Sequence, residues 1–162
     1  MADGRNPVSS GLLNLVDQTV RECDHSYHEL IASSAQEVDK ASLELVKKTL
    51  VNCQREVRRL FSEARPAEQE PLEDFLNAVR SADRSRRVLA GLVGNRALYT
   101  RRRSAAAAAK DFDAMEDRFD EFMTALNVVS ERGRALKLAM GRPQARVQRR
   151  GEIKMVIDDE AS

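Results

Sequence analysis

Residues 112–140 read FDAMEDRFDEFMTALNVVSERGRALKLAM, and the spacing of apolar side chains in this run decides the fold. They fall at Phe112, Met115, Phe119, Phe122, Leu126, Val129, Leu136 and Met140, alternately three and four apart until Gly133 takes the slot between Val129 and Leu136. On a heptad, Phe112, Phe119, Leu126, Gly133 and Met140 share the first seam position, while Met115, Phe122, Val129 and Leu136 share the second. A helix with this repeat carries its large side chains on one narrow stripe that must pack against other helices. Gly133 admits two readings, a close helix crossing or pocket for a neighbouring side chain, or a slack region before the helix ends.

Gly141-Arg142-Pro143 ends this helix firmly, since glycine caps the terminus and proline cannot continue it. In the other direction Ala105 to Ala109 are strong helix formers. Ala105 and Ala108 extend the heptad backwards; the alternative is a solvent-facing run, helical by propensity alone. Before it, Leu72, Phe75, Leu76, Val79, Leu89 and Val93 mark a third helix opening at Pro71, which suits a first turn. Gly91 and Gly94-Asn95 point to its end, and Pro66 to Pro71 reads as a short linker before it.

No Gly or Pro occurs from Leu12 to Arg65, which permits one helix of about 80 Å at 1.5 Å per residue. A break at Ser33–Ser34 is favoured, because adjacent serines compete for backbone hydrogen bonds and the apolar stripe changes register there. Ser34 with Glu37 has capping-box form. Before the break, Leu12, Val16, Thr19, Cys23, Tyr27 and Leu30 form one face; after it, Leu43, Val46, Leu50, Cys53, Val57 and Leu60 form another.

The reading is an all-α chain: an elongated antiparallel four-helix bundle with coiled-coil-like heptad packing, a long C-terminal helix and a short flexible tail. Residues 1–10 form a flexible leader, 11–141 the bundle and 142–162 the tail, with helices over 11–32, 36–64, 71–93 and 101–141. Composition agrees. Aromatics are 4%, Trp is absent and charged residues reach 33%, which suits long helices with wet flanks better than a layered sheet core or a cofactor pocket. Cys23 and Cys53 fall on apolar stripes and make no disulfide or metal pattern. No run is apolar enough to span a bilayer and no signal-peptide core opens the chain, so the expected location is intracellular, cytoplasmic by default, with the nucleus as an option.

Net charge is +1, but the charges are segregated. Residues 80–103 hold eight Arg against one acid, Asp83, and residues 132–150 hold six Arg and Lys137 with no acid. Between them lie Asp111, Asp113, Glu116, Asp117, Asp120 and Glu121, and the first helix is acidic through Asp17, Glu22, Asp24 and Glu29. One reading has the acidic segments facing the 80–103 block within or between subunits. Arg86, inside the third helix's apolar stripe, then needs a carboxylate, with Asp111, Asp113 or Glu116 as candidates. The other reading makes Arg80, Arg84, Arg87, Arg101, Arg102, Arg103, Arg142, Arg146, Arg149 and Arg150 an anion-binding set for nucleic acid or an anionic membrane surface.

No catalytic motif, cofactor loop or metal-ligand pattern emerges. Glu22–His25 has the spacing of a carboxylate-metal helix motif but does not repeat, and His25 and His28 read as polar surface residues. The tail run Ile153-Lys154-Met155-Val156-Ile157, followed by Asp158, Asp159 and Glu160, has the form of a segment that adds a strand to a partner. It resembles a SUMO-interacting motif, with Lys154 and Met155 departing from the usual apolar pattern. The expected function is a non-enzymatic helical adaptor or structural subunit pairing with itself or with other helical proteins. The alternative is an Arg-rich binder of nucleic acid or anionic lipid.

Overall fold

The computed structural model describes the backbone of residues 7–100 and 105–141, and the side chains of 11–94, 110 and 112–141. Four long helices make up nearly all of it: α1 over Pro7–Ile31, α2 over Lys40–Leu60, α3 over Pro66–Thr100 and α4 over Ala105–Met140. Short 3₁₀ turns at Ala35–Glu37 and Phe61–Glu63 flank α2. Among the described residues no strand occurs, and no helix is long and apolar enough to cross a membrane.

Local chemistry explains most boundaries. α1 begins at Pro7 rather than residue 11, with proline's fixed φ at the first helical position. It stops at Ile31, and the chain turns where Ser34 N–H donates to Glu37 Oε1 at 3.1 Å. Asp39 then caps α2, its Oδ1 accepting from Ser42 N–H at 2.8 Å, which moves the start of α2 from the expected 36 to 40.

The third helix departs furthest from expectation. It starts at Pro66, so the expected linker 66–71 is its first turns, with Pro71 inside the helix. Proline there removes one backbone bond, to the Ala67 carbonyl four residues back. The same helix runs through Gly91 and Gly94 to Thr100 instead of ending near 93. A Cβ at either glycine would meet nothing within 4 Å. Each glycine weakens the helix by about 1 kcal/mol relative to alanine, which packing of Leu89 and Val93 against the core can offset.

α1 packs on α2 and α4, α3 packs on α2 and α4, and the first 3₁₀ turn packs on α4. One apolar core runs through all four helices. Leu12, Val16, Leu50, Cys53, Leu72, Phe75, Val79, Phe122, Leu126, Val129 and Leu136 are fully shielded from water. Each large apolar side chain so buried is worth about 1.5–3 kcal/mol before the entropy of ordering the chain is subtracted. On α4 the buried face is broader than a two-position seam. Met123 and Ser130, one residue beyond Phe122 and Val129, are buried too. The reason is that α4 touches two neighbours, and a helix with two neighbours needs an apolar arc near 100° wide.

Candidate functional site

Among the described residues, polar groups tie the helices together at the end of α4 and along the α1–α4 and α1–α2 seams. At one end, Arg65 stands just before α3. Its N–H donates to Glu68 Oε1 at 3.0 Å and its Nε to Glu68 Oε2 at 2.6 Å. Its guanidinium also donates to the Met140 carbonyl at 3.0 Å, satisfying one of the open carbonyls that end α4. Glu68 is wholly buried. A carboxylate so placed is tolerable because its lone pairs are taken by charged and backbone donors. Sequence reasoning passed over this clasp, although Glu three residues after a residue that precedes a helix-opening proline is half a capping box.

Along the α1–α4 seam, Lys137 Nζ donates to Asp17 Oδ1 at 2.6 Å, and Asp17 also pairs with Arg21 at 2.7 Å. The Lys137 bond, opposed by burial and aided by Arg21, holds the Asp17 carboxyl below its usual range. Asp24 accepts from Ser130 Oγ at 2.5 Å and from Arg134 at 2.7 Å. Among the described residues, the acidic first helix thus meets basic residues of α4. Among the described residues no ion pair joins Arg80–Arg87 to the acidic residues 113–121. Arg118 instead reaches Glu121 on its own helix at 2.7 Å.

Arg86 is buried, and among the described residues its partner is not Asp113 or Glu116 but Asp83, one turn back on α3; the Asp111 side chain lies outside the described residues. The Nε–Oδ1 distance is 3.0 Å, and Arg87 takes Asp83 Oδ2 at 2.7 Å. Burial pushes the Asp83 carboxyl up, but the bonds from Arg87 and Arg86 outweigh it and leave the carboxyl below its usual range. An i,i+3 partner satisfies the buried guanidinium without any demand on helix direction.

Gly133 sits at a close crossing. A Cβ there would lie 2.2 Å from Val20 Cγ2 and 3.1 Å from Phe75 Cε1, so α1 and α3 both press on this point of α4. Met115, Phe119, Phe122, Leu126, Val129, Leu136 and Met140 are buried inside the chain's own core, whereas Phe112 is 47% exposed. Arg80 and Arg84 are exposed and donate to neutral Asn77 Oδ1 at 3.3 Å and Ser81 Oγ at 3.2 Å. Arg101, Arg102, Arg103, Arg142, Arg146, Arg149 and Arg150 lie outside the described side chains, as do Ile153, Met155, Val156 and Ile157 of the tail.

Cys23 and Cys53 are buried free thiols, and burial pushes them up to about 12 and about 11. His25 Nε2 lies 3.4 Å from Glu29 on its own helix, and His28 packs edge-on against Tyr27 at 5.9 Å. Among the described residues no three His, Cys, Asp or Glu side chains gather where a metal ion could sit. A groove of about 860 Å³ opens on the outer face of α1 and α2. No family model, curated protein or solved structure matches this chain.

Proposed function

We propose that the chain is a non-enzymatic helical adaptor or structural subunit, an antiparallel four-helix bundle that meets its partners at one end of the α3–α4 pair. Contact order supports the antiparallel reading. Asp17 meets Lys137 while Asp24 meets Ser130, so residue numbers fall along α4 as they rise along α1. Likewise Arg65 reaches Met140 while Phe75 lies against Gly133.

In that alignment Ile31 comes level with the stretch around Met123. About 27 Å of α4 then extends past the end of α1, at 1.5 Å per residue, with the first 3₁₀ turn against part of it. The helix lengths agree, at 35 and 36 residues for α3 and α4 against 25 and 21 for α1 and α2. The observation that carries the proposal is Phe112. It continues the seam whose next members, Met115 and Phe119, are 4% and 9% exposed, yet it stays 47% exposed on this overhang. A second copy or another helical protein covering it would complete the seam.

Absolute mass by light scattering, at low micromolar concentration and physiological salt, tests self-association. A multiple of 18.2 kDa that falls to one chain on Phe112→Asp, with the thermal melt of the single chain unchanged, supports a homomeric seam. A multiple that survives Phe112→Asp overturns the proposed surface.

One observation favours a second reading. Arg80 and Arg84 bond neutral oxygens in these contacts, and Arg87 shares the single Asp83 carboxylate with Arg86, so this helix face carries an excess of positive charge. Three phosphate contacts predict a log–log salt slope of about −2.7 on duplex DNA. Apolar seam pairing persists as salt rises. A flat salt dependence removes the nucleic-acid reading.

A further inference from the structure

The outer groove of α1 and α2 has a composition of its own. Its apolar lining includes Leu45 and Val51, 53% and 38% exposed although they stand on a helix whose opposite face is fully buried. Around them stand Arg21, Lys47, Lys48 and Arg55. Two acids share the lining, and one of them is occupied: Glu22 accepts from Thr49 at 2.9 Å and from Gln18 at 3.0 Å. The other, Glu44, stands 3.9 Å from Lys47. The lining thus combines exposed apolar side chains with four basic residues against two acids.

We propose that this groove receives residues 153–160 of its own chain, the apolar run Ile153 to Ile157 lying on Leu45 and Val51 while Asp158, Asp159 and Glu160 meet the basic edge. Both halves of the segment match the groove's chemistry: an apolar stretch flows directly into three acids, and the lining offers exposed apolar side chains and an excess of basic ones. The distances allow it. Lys137, in the last turn of α4, bonds Asp17, and Asp17 bonds Arg21, which lines the groove. The groove edge is thus two ion pairs away from the helix that carries the tail. Twelve residues separate Met140 from Ile153, and they reach at most about 40 Å extended, or about 20 Å as a flexible chain. A tether of that length holds the segment at an effective concentration of about millimolar, so weak individual contacts suffice to occupy the groove. Occupied, the groove is closed to other acidic segments, and a partner that docks there must first displace the tail.

Paramagnetic relaxation in the full chain tests this. A nitroxide goes on Ala161→Cys, since the native thiols at Cys23 and Cys53 are buried and held protonated. The expected result is loss of more than half the amide signal at Leu45, Lys48 and Val51 in a sample diluted with unlabelled, isotope-free chain. That signal should return with Val156→Asp/Ile157→Asp in the tail or with Lys47→Glu/Lys48→Glu in the groove. Unchanged amide shifts of the buried residues in each variant separate loss of docking from loss of folding. No signal loss at the groove overturns the proposal and leaves the surface to another molecule. Loss that persists in both variants overturns the chemistry. Loss seen only on isotope-labelled chains mixed with spin-labelled ones makes the occupant a second copy and overturns the intramolecular form.

Discussion

Replacing Gly133 by alanine adds one methyl group where α1, α3 and α4 meet, and the structure sets the cost. The new Cβ would stand 2.2 Å from Val20 Cγ2, far inside van der Waals contact, and 3.1 Å from Phe75 Cε1. Neither neighbour yields easily. Val20 is a β-branched residue with a single strongly preferred helical rotamer, and both side chains are enclosed, at 3% and 0% exposure. Overpacking of this kind costs about 1–3 kcal/mol, and the severity of the contact places it at about 3. Alanine regains about 1 kcal/mol of helix propensity over glycine. The net loss is about 2 kcal/mol, read as a lower urea midpoint at constant slope and a melting point about 4–8 °C lower. Leucine at the same position should cost more. Val20→Ala removes the opposing methyl, so the double variant Val20→Ala/Gly133→Ala should be more stable than the sum of the single changes by about 1 kcal/mol or more. A midpoint that stays or rises in Gly133→Ala, or strict additivity in the pair, would refute a tight crossing.

Asp83 is held below its unfolded value near 3.8, so the stability it contributes is present above that pH and is lost as pH falls through the lower folded value. Asp83→Asn should lose about 3 kcal/mol at pH 7, because it strands a buried guanidinium, and its deficit against the parent should shrink as pH is lowered below about 4; parallel urea curves across that range check both. Glu68→Gln should lose about 2 kcal/mol by weakening the charged bonds from Arg65, and hydrogen exchange should show faster opening at the end of α4 than elsewhere. With Cys23 and Cys53 buried and their thiols raised to about 12 and about 11, alkylation at pH 8 should proceed only as fast as the protein opens; rapid labelling of the native chain, seen by mass spectrometry, would contradict this.

Much of the architecture is legible along the chain because helical periodicity is a local property. The stripe Met115 to Met140, the faces Leu12 to Leu30 and Leu43 to Val57, and the turn at Ser34–Glu37 all follow from spacing and capping chemistry. Proline and glycine misled where their cost was small enough to be outweighed. Pro71 forfeits one bond near the helix start, and Gly91 and Gly94 lie on an open surface, so core contacts of Phe75, Leu89 and Val93 carry α3 through all three. The outer groove was not legible, because α1 and α2 contribute its two walls from opposite sides of a turn.

The sequence by itself determined that the chain is helical, where its apolar faces lie and that a missing side chain at 133 interrupts one of them. Period and capping act within one or two turns, so no knowledge of neighbours is needed. Only the tertiary structure decided which groups meet across helices: Asp17 with Lys137, Asp24 with Arg134, and Arg65 with the Met140 carbonyl at the end of α4. It also decided that the gap at Gly133 is filled by Val20 and Phe75. An exposed or buried charge finds its partner by distance in space, and that distance depends on how helices far apart in the chain are laid side by side.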